Sequence, residues 1–462
     1  MSGTPSSADA ALPTSSRPRY GSRDRGLRES LARLRGDHND HWAYKDRLAA
    51  ANRTALFQYP AMMVADMQRE LTEALLGQGK ACAGPVFDPF VGSGTIVGSG
   101  MALGRDVVGW DVNPLAILIC RVKAGPFHLA AFEAAANRVV PSRVPRGAVE
   151  ERFDNWRHWF TEDVARGLTA LRRKIRREPN LPTRRFLWIC LAETIRLTSN
   201  SRTSTVKLHR RPEEQIERRP DPRDVFARVA RENLTRLEEA ASELDERGLL
   251  SRGWYKGDVD LRLGDSRRLA WSGPLSAAMV TSPPYGDNTS TVPYGQHSYL
   301  PLQWIDLCDI DPGAAATCLA STYEIDRQSL GGTKRVGSDV AERLSRRSAA
   351  LEKVLAGLAG EKRDRRIRVL AFNRDLDEAL KALAPTIVIG SCAAWTVGSR
   401  RVGGMSVPLD RILIELSGAY GFVHVETLAR DIPLHRKRMA ARNSAGATMH
   451  REHVVVLRRA GN

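Results

Sequence analysis

Cysteine is scarce and unpatterned: Cys82, Cys120, Cys190, Cys308, Cys318 and Cys392 show no Cys-x-x-Cys spacing, and most lie in apolar neighbourhoods. That excludes a disulfide scaffold and a thiolate metal centre, and predicts buried thiols in a reducing cytosol with no metal site. No run of about 18 apolar residues occurs, and the amino terminus has no apolar signal-peptide core. Neither a membrane span nor export is expected, so the reading is a cytoplasmic protein with no membrane partner. No Gly-Lys-Ser/Thr closes a Gly-rich loop, which excludes a phosphate-cradling P-loop. There is no Pro-Cys dipeptide and no internal repeat.

Negative charge is also in short supply, with 53 acidic residues against 70 Lys and Arg. The net charge of +17 and pI near 10.0 come mainly from arginine, which favours planar bidentate partners such as phosphates and guanine edges. Nucleic acid is the expected partner. With 42% hydrophobic residues over 462 positions, the chain can bury two or three domains' worth of core.

Two stretches carry the chemistry. The apolar run Ala277-Ala278-Met279-Val280 leads into Thr281-Ser282-Pro283-Pro284-Tyr285. It reads as a buried parallel strand delivering a rigid loop at its carboxyl end, where open α/β sheets bind ligands. Two prolines fix φ and remove two donors, so the loop offers carbonyls, a hydroxyl and an aromatic face. It suits a planar amino group held between the Ser282 hydroxyl and the Pro283 carbonyl with Tyr285 stacked on the ring; taken alone, it reads equally as a Pro-rich turn. The second stretch is Val86-Phe87-Asp88-Pro89-Phe90-Val91-Gly92-Ser93-Gly94-Thr95, then a small-residue helix, then Val107-Val108-Gly109-Trp110-Asp111. This is strand, Gly-rich turn, helix, strand, with an acid where both ribose hydroxyls can be accepted, which points to a nucleoside site. Asp88 at the turn disfavours a pyrophosphate and suits a cationic or neutral ligand; a sulfonium such as S-adenosylmethionine fits that.

Together, Asp88 to Thr95 and Ser282-Pro283-Pro284-Tyr285 resemble the cofactor and catalytic motifs of the S-adenosylmethionine-dependent amino-methyltransferases of DNA, within them the bacterial cytosine-N4 type. The resemblance runs from about Trp42 to Arg459. It implies a Rossmann-like α/β methyltransferase fold, a mostly parallel twisted sheet with helices on both faces, plus a largely helical inserted subdomain. It implies that S-adenosylmethionine is held by Phe57, Tyr59, Pro60, Asp88, Phe90, Gly92, Ser93, Gly94, Thr95, Asp111, Asn113, Asp265 and Ser266. Of these, Phe57 to Pro60 resembles the segment that covers the methionine part, and Asp265 sits in a motif whose acid reaches the adenine. Ser282, Pro283, Pro284 and Tyr285 are the implied catalytic residues. The segment from Ile432-Pro433 to Arg438-Met439 resembles a carboxyl-terminal feature of the same enzymes. Duplex DNA is the implied partner, with a cognate restriction endonuclease as a further one.

Along the chain, residues 1–40 read as a flexible basic arm with order beginning near Trp42, residues 41–120 as the cofactor half, 121–256 as a helical insertion, and 257–462 as the catalytic half. Met63, Met67, Leu71 and Leu75 recur at helical spacing. In the insertion, which is too long for a crossover, Phe153, Trp156, Trp159 and Phe160 read as packing core. The polar basic stretch 196–211 reads as DNA contact through Arg196, Asn200, Arg202, Lys207 and Arg210, or as a solvated loop. Residues 286–302, with Asp287, Asn288, Tyr294, Gln296 and His297, border the target pocket, His297 as a hydrogen-bonding loop residue. Lys334 to Arg368 reads as basic helix, Thr386–Ile389, Phe422–Val425 and Val454–Leu457 as strands, and Arg411–Leu416 as helix.

The amino nitrogen of cytosine is a poor nucleophile because its lone pair is delocalised into the ring. Acceptors on both amino hydrogens localise that pair, so positioning and electrostatics carry the rate. The base must first leave the duplex, with Tyr285 replacing its stacking partners. Carbon-5 methylation uses a Pro-Cys nucleophile and is excluded. Ser at the first catalytic position favours cytosine over adenine by resemblance. Adenine-N6 methylation of DNA, an RNA substrate, and a non-catalytic nucleic-acid-binding module remain as alternatives.

Overall fold

In a computed structural model the described residues are 22–35, 55–77 and 84–460, apart from 144–146, 148, 218, 270, 272–274, 289, 362 and 432–450. Short apolar runs supply the sheet: β1 (Val86–Asp88), β2 (Val107–Asp111), β3 (Val259–Leu263), β4 (Ser276–Thr281), β5 (Ile387–Gly398), β6 (Phe422–Asp431) and β7 (Arg451–Arg459). Their order is β6-β7-β5-β4-β1-β2-β3. β1 pairs in parallel with β2 and β4, β2 with β3, and β4 with β5, while β7 runs antiparallel between β5 and β6. The chain winds outward from β1 to β3 and then returns to β4 on the other side of β1. Strand order therefore reverses between β1 and β4, and their carboxyl ends flank a crevice of the kind that holds ligands in open α/β sheets. This is the Rossmann-like methyltransferase fold expected from the sequence.

Helices cover both faces: α1 (Ser22–Arg35), α2 (Ala65–Leu76), α3 (Thr95–Ala102), α4 (Pro114–Lys123), α5 (Leu129–Val139), α6 (Glu162–Ile175), α7 (Leu181–Thr198), α8 (Pro222–Glu246), α9 (Tyr294–Leu302), α10 (Arg363–Leu383) and α11 (Leu409–Gly418). Strand residues alternate between faces. Phe87, Met279, Trp395 and Leu457 pack with Phe372, Leu376 and Leu413 of α10 and α11. Val86, Val280, Ala394 and Val454 pack with Leu31, Leu71 and Ile96 of α1, α2 and α3. Helix starts follow local chemistry: Asn113, Thr161, Asn180 and Asp221 each accept a backbone N–H, with Pro in the first turn after Asn113, Asn180 and Asp221.

The inserted helices α5 to α8 share one core with α4 and α9. Phe132 stacks on Phe186 with ring centroids 4.9 Å apart, and Phe160 meets Trp304 edge-on. Trp156 and Phe160 are buried there, and Phe153 and Trp159 are partly buried against the same cluster.

Several expectations need correction. The arm does not stay flexible through residue 40: residues 22–35 form α1. Leu27 and Leu31 of that helix are fully buried, and Asp24 pairs with Arg458 at 2.6 Å. A β-bulge at His424/Glu426 takes Val425 out of the ladder, and Arg28 donates to its carbonyl at 2.8 and 2.6 Å. Two apolar residues one helical turn apart are too weak a stripe to stand out among the arginines. β5 continues nine residues beyond Ile389: Gly390, a weak strand former, and Ser391 fall at an irregularity in the ladder to β4, and from Cys392 the strand pairs with β4 and β7. The helical reading of Lys334 to Arg368 resolves into short helices Val340–Ser345 and Ala349–Gly357 and then α10, which runs on to Leu383. Cys308 is exposed rather than buried, whereas Cys120, Cys190, Cys318 and Cys392 are buried. Trp42, Cys82 and Ile432 to Met439 lie outside the described residues. Among those residues no helix is long and apolar enough to cross a membrane.

Candidate active site

The Gly-rich turn works through backbone geometry. Gly92 and Gly94 have φ of 49° and 74°, a region side chains with a Cβ avoid. Gly92 N–H donates to Asp111 Oδ2 at 2.9 Å and Asn113 N–H to Asp111 Oδ1 at 2.8 Å, which seats the acid of β2 under the turn. Burial raises the Asp111 carboxyl to about 6. A carboxylate has roughly four acceptor positions, so capacity remains for a ligand hydroxyl. Gly94 serves packing: a Cβ there would lie 2.9 Å from Cys120 Sγ.

Asp88 joins the two motifs. It is fully buried, and its Oδ1 accepts from Thr281 Oγ at 2.6 Å and from Phe90 N–H at 3.0 Å. The end of β1 is thereby tied to the residue just before Ser282. Burial pushes this carboxyl up to about 7, and Oδ2 has no partner among the described residues.

A cleft of about 760 Å³, including its open mouth, lies over this junction, in the range of small-molecule sites. Of the sequence-named residues, Tyr59, Pro60, Phe90, Gly92, Ser93, Asp111, Asn113, Asp265, Ser266, Ser282 and Pro284 line it. Phe57, Asp88, Gly94, Thr95, Pro283 and Tyr285 do not. Phe57 is core, 5.4 Å from the His297 ring in an edge contact. Asn113 caps α4 through Leu115 N–H at 3.0 Å and donates to Tyr59 Oη at 3.1 Å and Ser298 Oγ at 2.8 Å. Tyr59 in turn stacks on Tyr294. Asp265 is engaged bidentately by Arg267, and Ser266 donates to the Pro89 carbonyl. Ala61, a non-glycine with φ of 51°, also lines the cleft; such backbone is costly and collects at functional sites.

The loop after β4 is held at three points. Ser282 Oγ donates to the Thr396 carbonyl at 3.2 Å and lies 3.4 Å from Tyr285 Oη. The Tyr285 hydroxyl donates to Glu452 Oε1 at 3.0 Å, and Glu452 pairs with the buried Arg430 at 2.7 Å. Burial, reinforced by Glu452, keeps the phenol protonated. Beyond it, Asp287 is clasped by Arg400 at 3.1 Å and Arg368 at 3.2 Å. Gly286 makes room for Arg400, whose guanidinium would overlap any Cβ placed there. His297 lies in α9 rather than a loop, with Nε2 against the Gln58 carbonyl at 2.8 Å. Burial lowers its pKa to about 4, so it is neutral and held away from proton transfer.

Sequence reading missed Ile325, Gln328, Ser329 and Leu330, which close one side of the cleft, and Glu452 and Arg430, which anchor Tyr285. None has a local motif, and each is brought in by tertiary packing. Asn288 and Tyr294, named as bordering residues, do line the cleft.

The stretch expected to contact DNA is a narrow hairpin-like turn closed by the Ser201–Arg210 bridge, with Leu208 N–H set against Gln296. Only part of it faces outward. Asn200 is buried and donates to the His158 carbonyl at 3.2 Å, which removes it from DNA contact. Arg196 is paired with Glu193 at 2.6 Å and Arg210 with Glu213 at 2.6 Å. Arg202 and Lys207 are exposed.

The residues present fit S-adenosylmethionine. The Asp111 carboxyl keeps acceptor capacity, the buried Asp88 Oδ2 below the turn has no partner among the described residues, and Pro89 and Phe90 give an apolar wall. No protein-family model matches the chain. The solved structure of TTHA0409 from Thermus thermophilus, given as a DNA modification methylase, overlaps 20% of this chain and 38% of its own at 18% identity. Its TM-score of 0.16 is too low to bear on the fold. Over 439 residues the chain is 29% identical to the type II methyltransferase M.MvaI of Kocuria varians, covering 91% of this chain and 93% of that protein. The chain is thus similar, along nearly its whole length, to a type II methyltransferase.

Proposed function

We propose that this protein is an S-adenosylmethionine-dependent DNA methyltransferase that methylates the exocyclic N4 of cytosine in duplex DNA after flipping the base outward. The observation that carries the reading is the state of Ser282. Its single hydroxyl proton is given to the Thr396 carbonyl, so the oxygen presents lone pairs to a cleft that also holds Gly92 and Asp111. A hydroxyl oriented this way accepts a proton from an amino group and does not compete for the nitrogen lone pair. S-adenosylmethionine, when bound, supplies an electrophilic methyl group. Tyr59, Phe90, Gly92, Ser93, Asp111, Asp265 and Ser266 are the residues that would hold it. Ser282, with the Pro283 carbonyl, takes the two amino hydrogens and localises the nitrogen lone pair towards the methyl carbon. Tyr285, its hydroxyl anchored on Glu452, is the ring that stacks the flipped base in this reading. The near-full-length similarity to a type II methyltransferase supports DNA as substrate.

The test is to incubate purified protein with methyl-labelled cofactor and genomic DNA, digest to nucleosides and identify the labelled one. N4-methylcytosine is expected. N6-methyladenine as the sole product would overturn the cytosine assignment, and label confined to RNA would overturn DNA as substrate.

A further inference from the structure

Among the described residues many arginines pair with carboxylates, and the cations left over mark where a polyanion can bind. Between residues 334–341 and the first two turns of α10 lies an open groove of about 1210 Å³, including solvent at its mouth. Lys334, Arg335, Arg363 and Arg366 stand along it, with Val336 and Ile367 among the apolar lining. All four cations are exposed. Lys334 shares Asp364 with Arg368 at 2.5 and 2.6 Å. Arg335, Arg363 and Arg366 have no carboxylate partner among the described residues. The stretch 196–211 loses Arg196 and Arg210 to glutamates and keeps Arg202 and Lys207 exposed.

The groove is also built and placed. Arg374 donates to the Thr333 and Arg335 carbonyls and Gly331 N–H to Asp375, which straps the groove's outer wall to α10. Leu330 on that same strand of chain lines the cleft. Lys334 is four positions further along, a reach of at most about 14 Å. On the other wall, Arg368 of α10 holds Asp287, two residues past Tyr285. A duplex with one nucleotide in the cleft carries a phosphate charge every 1.7 Å or so of axis, so flanking phosphates fall within that reach.

We infer that the groove formed by Lys334, Arg335, Arg363 and Arg366 binds the phosphodiester backbone of duplex DNA beside the target base. The inference rests on the DNA reading above and adds the surface that holds the strand. Unpaired guanidinium groups bind phosphates bidentately, and each neutralised phosphate adds about 0.9 to the slope of log K against log salt.

The experiment measures binding of the full chain to labelled duplex DNA across a salt series, for wild type, for Arg335→Gln/Arg363→Gln/Arg366→Gln, and for the matching triple Lys variant. The Gln variant is expected to lower the slope by about 2.7, three contacts at 0.9 each, with cofactor affinity unchanged. The Lys variant retains the charges and should keep most of the slope. An unchanged slope in a Gln variant that still binds cofactor would overturn the groove. So would a loss that the Lys variant shares in full, since that marks a fold defect. If wild type itself binds duplex DNA without salt dependence, it is the DNA reading that fails. If the slope change appears on duplex RNA alone, the ligand is RNA and the assignment to DNA is overturned.

Discussion

Replacing Ser282 by alanine tests the chemistry most directly. The hydroxyl has one proton and two lone pairs. The proton goes to the Thr396 carbonyl at 3.2 Å, and the contact to Tyr285 Oη is long at 3.4 Å, so at least one lone pair is open to the cleft. As an ordinary ground-state hydrogen bond this acceptor is worth about 0.5 to 1.5 kcal/mol. A contact realised as charge shifts in the transition state is worth more, about 2.7 to 4 kcal/mol, or a hundredfold to a thousandfold in kcat. Ser282→Ala should therefore lower kcat about a hundredfold or more. Cofactor affinity should hold, because Asp111 and the Gly92 turn are untouched. Stability should fall by about 1 to 3 kcal/mol if the buried Thr396 carbonyl is left unsatisfied. Single-turnover methylation of duplex DNA gives the rate and calorimetric titration gives the affinity. A folded variant that methylates within a few-fold of wild type would refute the acceptor role, and a parallel loss of cofactor binding would show the cleft to be one unit.

Further outcomes follow from the same structure. The Asp111 carboxyl, raised by burial to about 6, must ionise to accept ribose hydroxyls well. Cofactor affinity should therefore rise with pH, by at most tenfold per unit, and level off above about 6, with Asp88, raised to about 7, extending the rise. Asp111→Asn should flatten that profile and weaken binding roughly tenfold or more. By the same sign, the unliganded fold should lose stability as pH climbs from about 4 through 6, where this carboxyl gives up its proton. Tyr285→Ala should weaken capture of the target base by about 1 to 3 kcal/mol, whereas Tyr285→Phe keeps the ring face and should retain much activity; equal damage from both would mean that the phenol itself takes part in the chemistry. Leu31→Ala, at a fully buried position of α1, should cost about 2 to 5 kcal/mol in denaturant unfolding; no change would mean the helix is not docked on β6.

Local pattern was enough to read the central strands, the Gly-rich turn, the acid ending β2 and the Pro-Pro loop, because each depends on residues within about ten positions: apolar runs bury, glycines permit positive φ, prolines fix it. Hydrophobic periodicity was likewise enough for the inserted helices. The reversal of strand order that sets the Gly turn beside Ser282 depends on which strands pair across a long stretch of chain, and no local signal encodes that. The Asp88–Thr281 hydrogen bond that couples the two motifs exists only once β1 and β4 are neighbours. Burial was invisible for the same reason. Asn200 looks as available in the sequence as Arg363 and Arg366, and only the fold buries it, whereas Arg196 and Arg210 pair with glutamates three positions away along the chain, Glu193 and Glu213. The anchoring of Tyr285 by Glu452 and Arg430 is likewise a product of β7 lying between β5 and β6. Composition made the chain basic and local sequence set close pairs such as Arg196–Glu193, but long-range pairs such as Arg458–Asp24 and Arg430–Glu452 were decided by tertiary structure, because residues far apart along the chain meet only when the fold brings them together.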